Sequence, residues 1–115
     1  MILNHINLTV TDVRAAMAFL EKYCGMQPTG GNAGMGFMTD DGGRFVLSLM
    51  KAGKSVSVEY PGTFHIGFFM ESEERVDEVY RRLREDGYDA APPERHHGYT
   101  FYVKAPGGFT VELGA

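Results

Sequence analysis

His5-Ile6-Asn7-Leu8-Thr9-Val10 and His65-Ile66-Gly67-Phe68-Phe69-Met70 open in the same way. Each reads as a strand from its apolar alternation, each carries a histidine near its start, and each runs into an amphipathic helix. In the first copy Thr11 is the expected N-cap, and Val13, Ala16, Met17 and Leu20 recur at the i, i+3, i+4, i+7 spacing of one helical face. In the second copy Ser72 is the N-cap, Glu73 and Glu74 lie at the positive end of the helix dipole, and Val76, Val79, Tyr80 and Leu83 repeat the spacing. Both helices are expected to stop at glycine, Gly25 and Gly87. The closing strands read Gly43-Arg44-Phe45-Val46-Leu47-Ser48-Leu49 and Gly107-Gly108-Phe109-Thr110-Val111-Glu112-Leu113; with Phe45 laid on Phe109, Ser48 falls on Glu112. The pattern predicts two βαβββ repeats in a single α+β domain, covering about residues 1–51 and 63–115 with a linker over about 52–62.

Composition agrees with one such domain and narrows its partners. A chain of 115 residues, 43% apolar and 23% charged, has room for one core of ordinary globular balance. No apolar run approaches the roughly 20 residues of a bilayer span, and no basic-then-apolar leader opens the sequence, so a cytoplasmic protein without membrane contact is expected. The lone Cys24 has no intrachain partner and is expected to be buried as a small hydrophobe. A net charge of -4 argues against nucleic acid. Arg81, Arg82 and Arg84 lie among Glu78, Glu85 and Asp86, which predicts an ion-paired, solvated helix face. The glycine-studded segment around Met35, Phe37 and Met38 lacks the Lys-Ser/Thr of a phosphate loop and reads as a strand pair with an adaptable apolar wall.

Strand alternation decides which side chains can meet. Ile6, Leu8 and Val10 share one face, as do Phe64, Ile66, Phe68 and Met70, and these must cover the helices. His5 and His65 then point the other way. In the last strand Phe109, Val111 and Leu113 take the helix side, leaving Thr110 and Glu112 with the histidines. Two imidazoles and a carboxylate on one face have the composition of the facial triad, which holds a divalent ion and leaves about three positions open for water, substrate or dioxygen. His5, His65 and Glu112 are therefore the candidate metal ligands.

With these residues in view, the sequence resembles the vicinal oxygen chelate superfamily, which includes glyoxalase I, extradiol dioxygenases, fosfomycin-modifying enzymes and bleomycin-binding proteins. The resemblance covers the whole chain and is carried by HINLTVTDVRAAMAFLEKYCGM, FHIGFFM and GYTFYVKAPGGFTVEL. It implies a cup-shaped, partly closed mixed sheet with the helices outside, and a metal at its base held by the residues matching His5, His65 and Glu112. It also implies a homodimer in which the cup can be shared, the first histidine coming from one chain and the other ligands from the second. The ion implied is Fe, Mn, Ni or Zn, and the partner a small molecule.

Departures from the family pattern shape the expected activity. Glyoxalase I-like members carry a fourth ligand, a glutamate, where this chain has Ser48, a poor ligand and a poor base. The run Arg95-His96, Phe101-Tyr102, Pro106, Gly108-Phe109, Val111-Glu112 is similar to the closing signature of extradiol enzymes, which makes Tyr102 and His96 the candidate catalytic residues. The acid-base histidine of those enzymes has no counterpart between Ser48 and Phe64, leaving Tyr60, Glu59 or a water. Basic residues that fosfomycin thiol transferases use beyond the last ligand are not matched, and Lys104, on the strand face of Tyr102, is the obvious cation. The expected function is a small metal-dependent enzyme acting on a vicinal-oxygen substrate, dioxygenase-like rather than a typical glyoxalase I. The alternatives are a non-catalytic, bleomycin-resistance-like binding protein and a module with a vestigial site.

Overall fold

The computed structural model describes residues Met1–Ala115. Its elements run β1 (His5–Val10), α1 (Val13–Cys24), β2 (Gln27–Gly31), β3 (Met35–Thr39), β4 (Val46–Lys51), β5 (Ile66–Phe69), α2 (Glu73–Glu85), β6 (Glu94–Arg95), β7 (Tyr99–Ala105) and β8 (Phe109–Gly114). This is the α+β pattern of two βαβββ repeats. Each repeat makes its own four-stranded mixed sheet, ordered β1-β4-β3-β2 and β5-β8-β7-β6. In both, the first strand pairs in parallel with the last and the remaining pairings are antiparallel.

The first compact unit comprises Met1–Glu59 with the turn Pro106–Gly108. Its core joins Leu8 and Val10 of β1 and Leu47 and Leu49 of β4 to Val13, Ala16, Phe19 and Leu20 of α1, all nearly inaccessible. The N-cap is Asp12 rather than Thr11: the Asp12 carboxylate accepts from the Ala15 N–H at 3.0 Å, while the Thr11 N–H donates to the Gly107 carbonyl. A carboxylate serves this position better than a hydroxyl because it also meets the positive end of the helix dipole. The helix ends, as expected, at Gly25 in the left-handed conformation, φ 70°. Several glycines sit where a side chain would be crowded, Gly36 and Gly107 among them. A Cβ on Gly36 would collide with the Met17 thioether, and Gly107, at φ 106°, sits close enough to Val10 that a Cβ would lie 3.1 Å from its side chain.

The second unit comprises Tyr60–Ala105 and Phe109–Ala115. Val76, Val79 and Leu83 of α2 pack on Phe101 and Val103 of β7 and Phe109, Val111 and Leu113 of β8, with Tyr80 edge-on to Phe101. Ser72 caps α2 through Arg75 N–H, as the sequence predicts, and Gly87 follows the helix with φ 93°. The β6–β7 hairpin is tied to the same helix from outside: Arg95 forks onto Glu73, and the Tyr99 hydroxyl donates to Asp77 at 2.7 Å. Arg75 pairs with Glu78 and Arg84 with Asp89 on the exposed face. Residues 52–65 form neither helix nor strand. Cys24 is half-buried, and that burial pushes its thiol up to about 12. No helix is long and apolar enough to cross a membrane.

Candidate functional site

The ladder register of each unit fixes what stands around each histidine. In the second unit Gly67, two residues after His65, pairs with Glu112, and Glu112 pairs across its other edge with Tyr102. Side chains two apart on a strand share a face, so His65, Tyr102 and Glu112 form a group. The imidazole of His65 meets the Tyr102 ring edge-on at 5.4 Å, and the Tyr102 hydroxyl donates to the Glu112 carboxylate. That hydrogen bond, with lesser help from burial and from the charge of Glu112, raises the phenol above its usual range. Gly67 lies against this carboxylate, an added Cβ coming into ordinary contact at 3.5 Å from a Glu112 oxygen.

In the first unit the same register puts Asn7 opposite Ser48, and Ser48 opposite Phe37. Ser48 is thus the positional counterpart of Glu112, Asn7 of Gly67, and Phe37 of Tyr102. The Ser48 hydroxyl donates to Asn7 Oδ1 at 2.8 Å. A neutral hydrogen-bonded pair stands where the other unit has a carboxylate. Around it lie the partly exposed Phe37 and Met50, with Met35 paired to Met50 on the ladder. Strand alternation puts Asn7 on the face of His5, and its offset from His5, the same as that of Gly67 from His65, is the sequence signal for this position.

Both histidines engage one ring nitrogen in a hydrogen bond. His65 donates from Nδ1 to the Thr63 carbonyl at 3.0 Å, and His5 donates from Nδ1 to Asn4 Oδ1 at 2.8 Å. In each case the oxygen acceptor places the proton on Nδ1 and leaves Nε2 as the lone-pair nitrogen, the usual arrangement of a metal-binding imidazole. The donor set of the second unit, one such nitrogen and one oriented carboxylate, suits a divalent ion. No three His, Cys, Asp or Glu side chains within the chain are grouped so that they could hold a metal ion. His96 lies at the tip of the β6–β7 hairpin, where its Nε2 is 3.4 Å from a Glu94 carboxylate oxygen. Tyr60 stacks on Phe64 with ring centroids 4.5 Å apart.

Repeat, register and histidine placement together define a class of protein, and residues 2–113 match the model of the Glyoxalase/Bleomycin resistance protein/Dioxygenase superfamily. The chain belongs to that superfamily. Among relatives, it is 31% identical to the uncharacterised protein PA2024 of Pseudomonas aeruginosa over 120 residues, covering 96% of this chain and 86% of that one. It superposes on a possible glyoxalase from Bacillus cereus with TM-score 0.90 at 52% identity, covering 100% and 99% of the two chains. A point mutant of the fosfomycin resistance protein FosX of Listeria monocytogenes, crystallised with Mn(II) and 1S,2S-dihydroxypropylphosphonic acid, superposes with TM-score 0.78 at 26% identity over 100% of this chain and 94% of that one.

Proposed function

We propose that the protein is a small metal-dependent enzyme in which His5, His65 and Glu112 hold one divalent ion that binds a substrate with two adjacent oxygens. The observation that carries this reading is the second-unit group, His65 with a free Nε2 beside a Glu112 carboxylate held by Tyr102. The Mn(II) and vicinal diol bound by the FosX mutant support the same class of ligand. One chain does not group three ligands, and the reading accordingly takes His5 from a second copy in a homodimer. A bound divalent ion supplies Lewis acidity toward the paired oxygens and open coordination positions.

The chain's own residues do the rest. Thr63 and Asn4 fix the tautomers of the two imidazoles, so that each presents a basic nitrogen. Tyr102 orients Glu112 by donating its hydroxyl proton to that carboxylate. His96 is the second candidate catalytic group, acting from its hairpin as a proton donor. Ser48, already donating to Asn7, adds no charge to the site; the lack of a carboxylate base in that repeat favours dioxygenase-like over glyoxalase I-like chemistry. The apolar wall of Phe37 and Met50 supports the second reading, a binding protein that sequesters a drug-like ligand.

Catechol titrated anaerobically into Mn(II)- or Fe(II)-loaded protein separates the two. The enzyme reading expects binding that a chelator and His65→Ala each abolish. Binding of an apolar ligand that ignores the chelator, with no metal-dependent binding of catechol, would transfer the conclusion to the second reading.

A further inference from the structure

β6 pairs with only Tyr99 and Thr100, so the rest of β7 has a free outer edge. Along it lies a groove of about 620 Å³, lined by Tyr80 and Arg84 of α2, by Asp89 and Pro92 after the helix, and by Tyr102 and Lys104 of β7. That volume is in the range of small-molecule sites, and the lining has their character, apolar and aromatic surface with a few polar groups. Its two cations differ. Arg84 is taken up by Asp89 at 3.3 Å and by the Tyr88 carbonyl. Lys104 has no carboxylate partner, although the chain as a whole carries a net charge of -4.

The groove adjoins the candidate metal site through Tyr102, whose hydroxyl serves Glu112. Lys104 stands two residues further along the same face, opposite Thr110, roughly 7 Å from the Tyr102–Glu112 pair at the strand's rise. An unpaired ammonium beside a hydroxyl, at the end of a groove whose other two charges, Arg84 and Asp89, neutralise each other, is a receptor for an anion. We propose that this groove is the subsite for an anionic substituent: the substrate carries a carboxylate about one aromatic ring away from its paired oxygens, and Lys104 with Thr110 receives it. This rests on the metal-dependent reading above for the position of the oxygens, not for the anion subsite itself.

The test compares catechol with 3,4-dihydroxybenzoate, identical but for the carboxylate, by anaerobic titration calorimetry with and without Mn(II). Wild type, Lys104→Ala, Lys104→Arg and the remote control Lys54→Ala are measured. The proposal expects dihydroxybenzoate to bind at least about tenfold more tightly than catechol, the yield of one charge-assisted hydrogen bond. Lys104→Ala should erase that difference and leave catechol unchanged, while Lys104→Arg and Lys54→Ala retain it. Equal affinities in wild type, a difference that survives Lys104→Ala, or no binding of either compound would overturn the proposal. Should Mn(II) fail to strengthen catechol while the Lys104-dependent difference persists, the metal reading falls and the subsite stands.

Discussion

At the level of single residues, the Tyr102–Glu112 hydrogen bond gives the most specific expectations. Because Glu112 raises the Tyr102 pKa, the pair stabilises the fold while the phenol is protonated. That contribution is complete below the ordinary tyrosine range and is lost as pH rises through the raised value. Ultraviolet titration should therefore show two tyrosines ionising later than ordinary phenols in wild type, Tyr102 beside Glu112 and Tyr99 beside Asp77, and only one in Glu112→Gln; an unchanged titration would remove the bond from the account. Gly67 offers a second check. Valine suits a strand, but its branches would project beyond a Cβ already 3.5 Å from a Glu112 oxygen. Gly67→Val should weaken metal binding at least tenfold while thermal stability holds, and undiminished metal affinity would contradict a need for free space beside that carboxylate. Sequence alternation alone placed His65 and Glu112 on one side of their sheet, while Tyr102 was marked by the resemblance to the extradiol closing run. It could not give the tautomers or the Asn7–Ser48 bond, because those depend on which strand pairs with which and at what register.

Among the elements, the caps separate what composition suggests from what geometry selects. Thr11 and Asp12 are both good capping types, and only the backbone path decides between them; Thr11 turns its N–H to Gly107 instead. Asp12→Ala should cost about 1 kcal/mol in chemical denaturation and Thr11→Ala appreciably less, and the reverse order would restore the cap expected from the sequence. The helical faces were legible because their spacing does not shift when the cap moves by one residue. Less legible was the clamp of the β6–β7 hairpin, built from Glu73, Asp77, Arg95 and Tyr99 across 22 residues of chain. Arg95 lowers the Glu73 pKa, chiefly through their hydrogen bond, so its support is present above the ordinary glutamate range and fades as pH falls through the lowered value. The protection factor of the Thr100 amide, which faces β6, should fall as pH drops through the lowered Glu73 value and be lower already at neutral pH in Glu73→Gln; equal protection in both would show the ion pair to be idle.

For the whole molecule, the doubled βαβββ pattern was readable because two histidine-led strands and two capped helices recur in the same order, and the superfamily match over residues 2–113 agrees with it. The sequence could not say whether one chain or two complete the site, since intrachain grouping is a tertiary property; the chain groups no three ligands. Sedimentation at micromolar concentration should give a dimer, and a lone monomer would rule out a shared site. Complementation is sharper. His5→Ala and Glu112→Ala should each be metal-free alone, yet dimers re-formed from an equal mixture should regain metal, because each mixed dimer carries one intact set.

The central claim is the three-residue metal site, and its most direct measurement is metal content after anaerobic addition of Fe(II), Mn(II), Ni(II) or Zn(II) to protein purified without a chelating tag, comparing wild type with His65→Ala and Glu112→Ala. The account predicts about one equivalent per chain in wild type, the sum of one ion per three-ligand set, and none in either variant. Wild-type protein that retains no ion under any of these additions, or variants that retain as much as wild type, would contradict it.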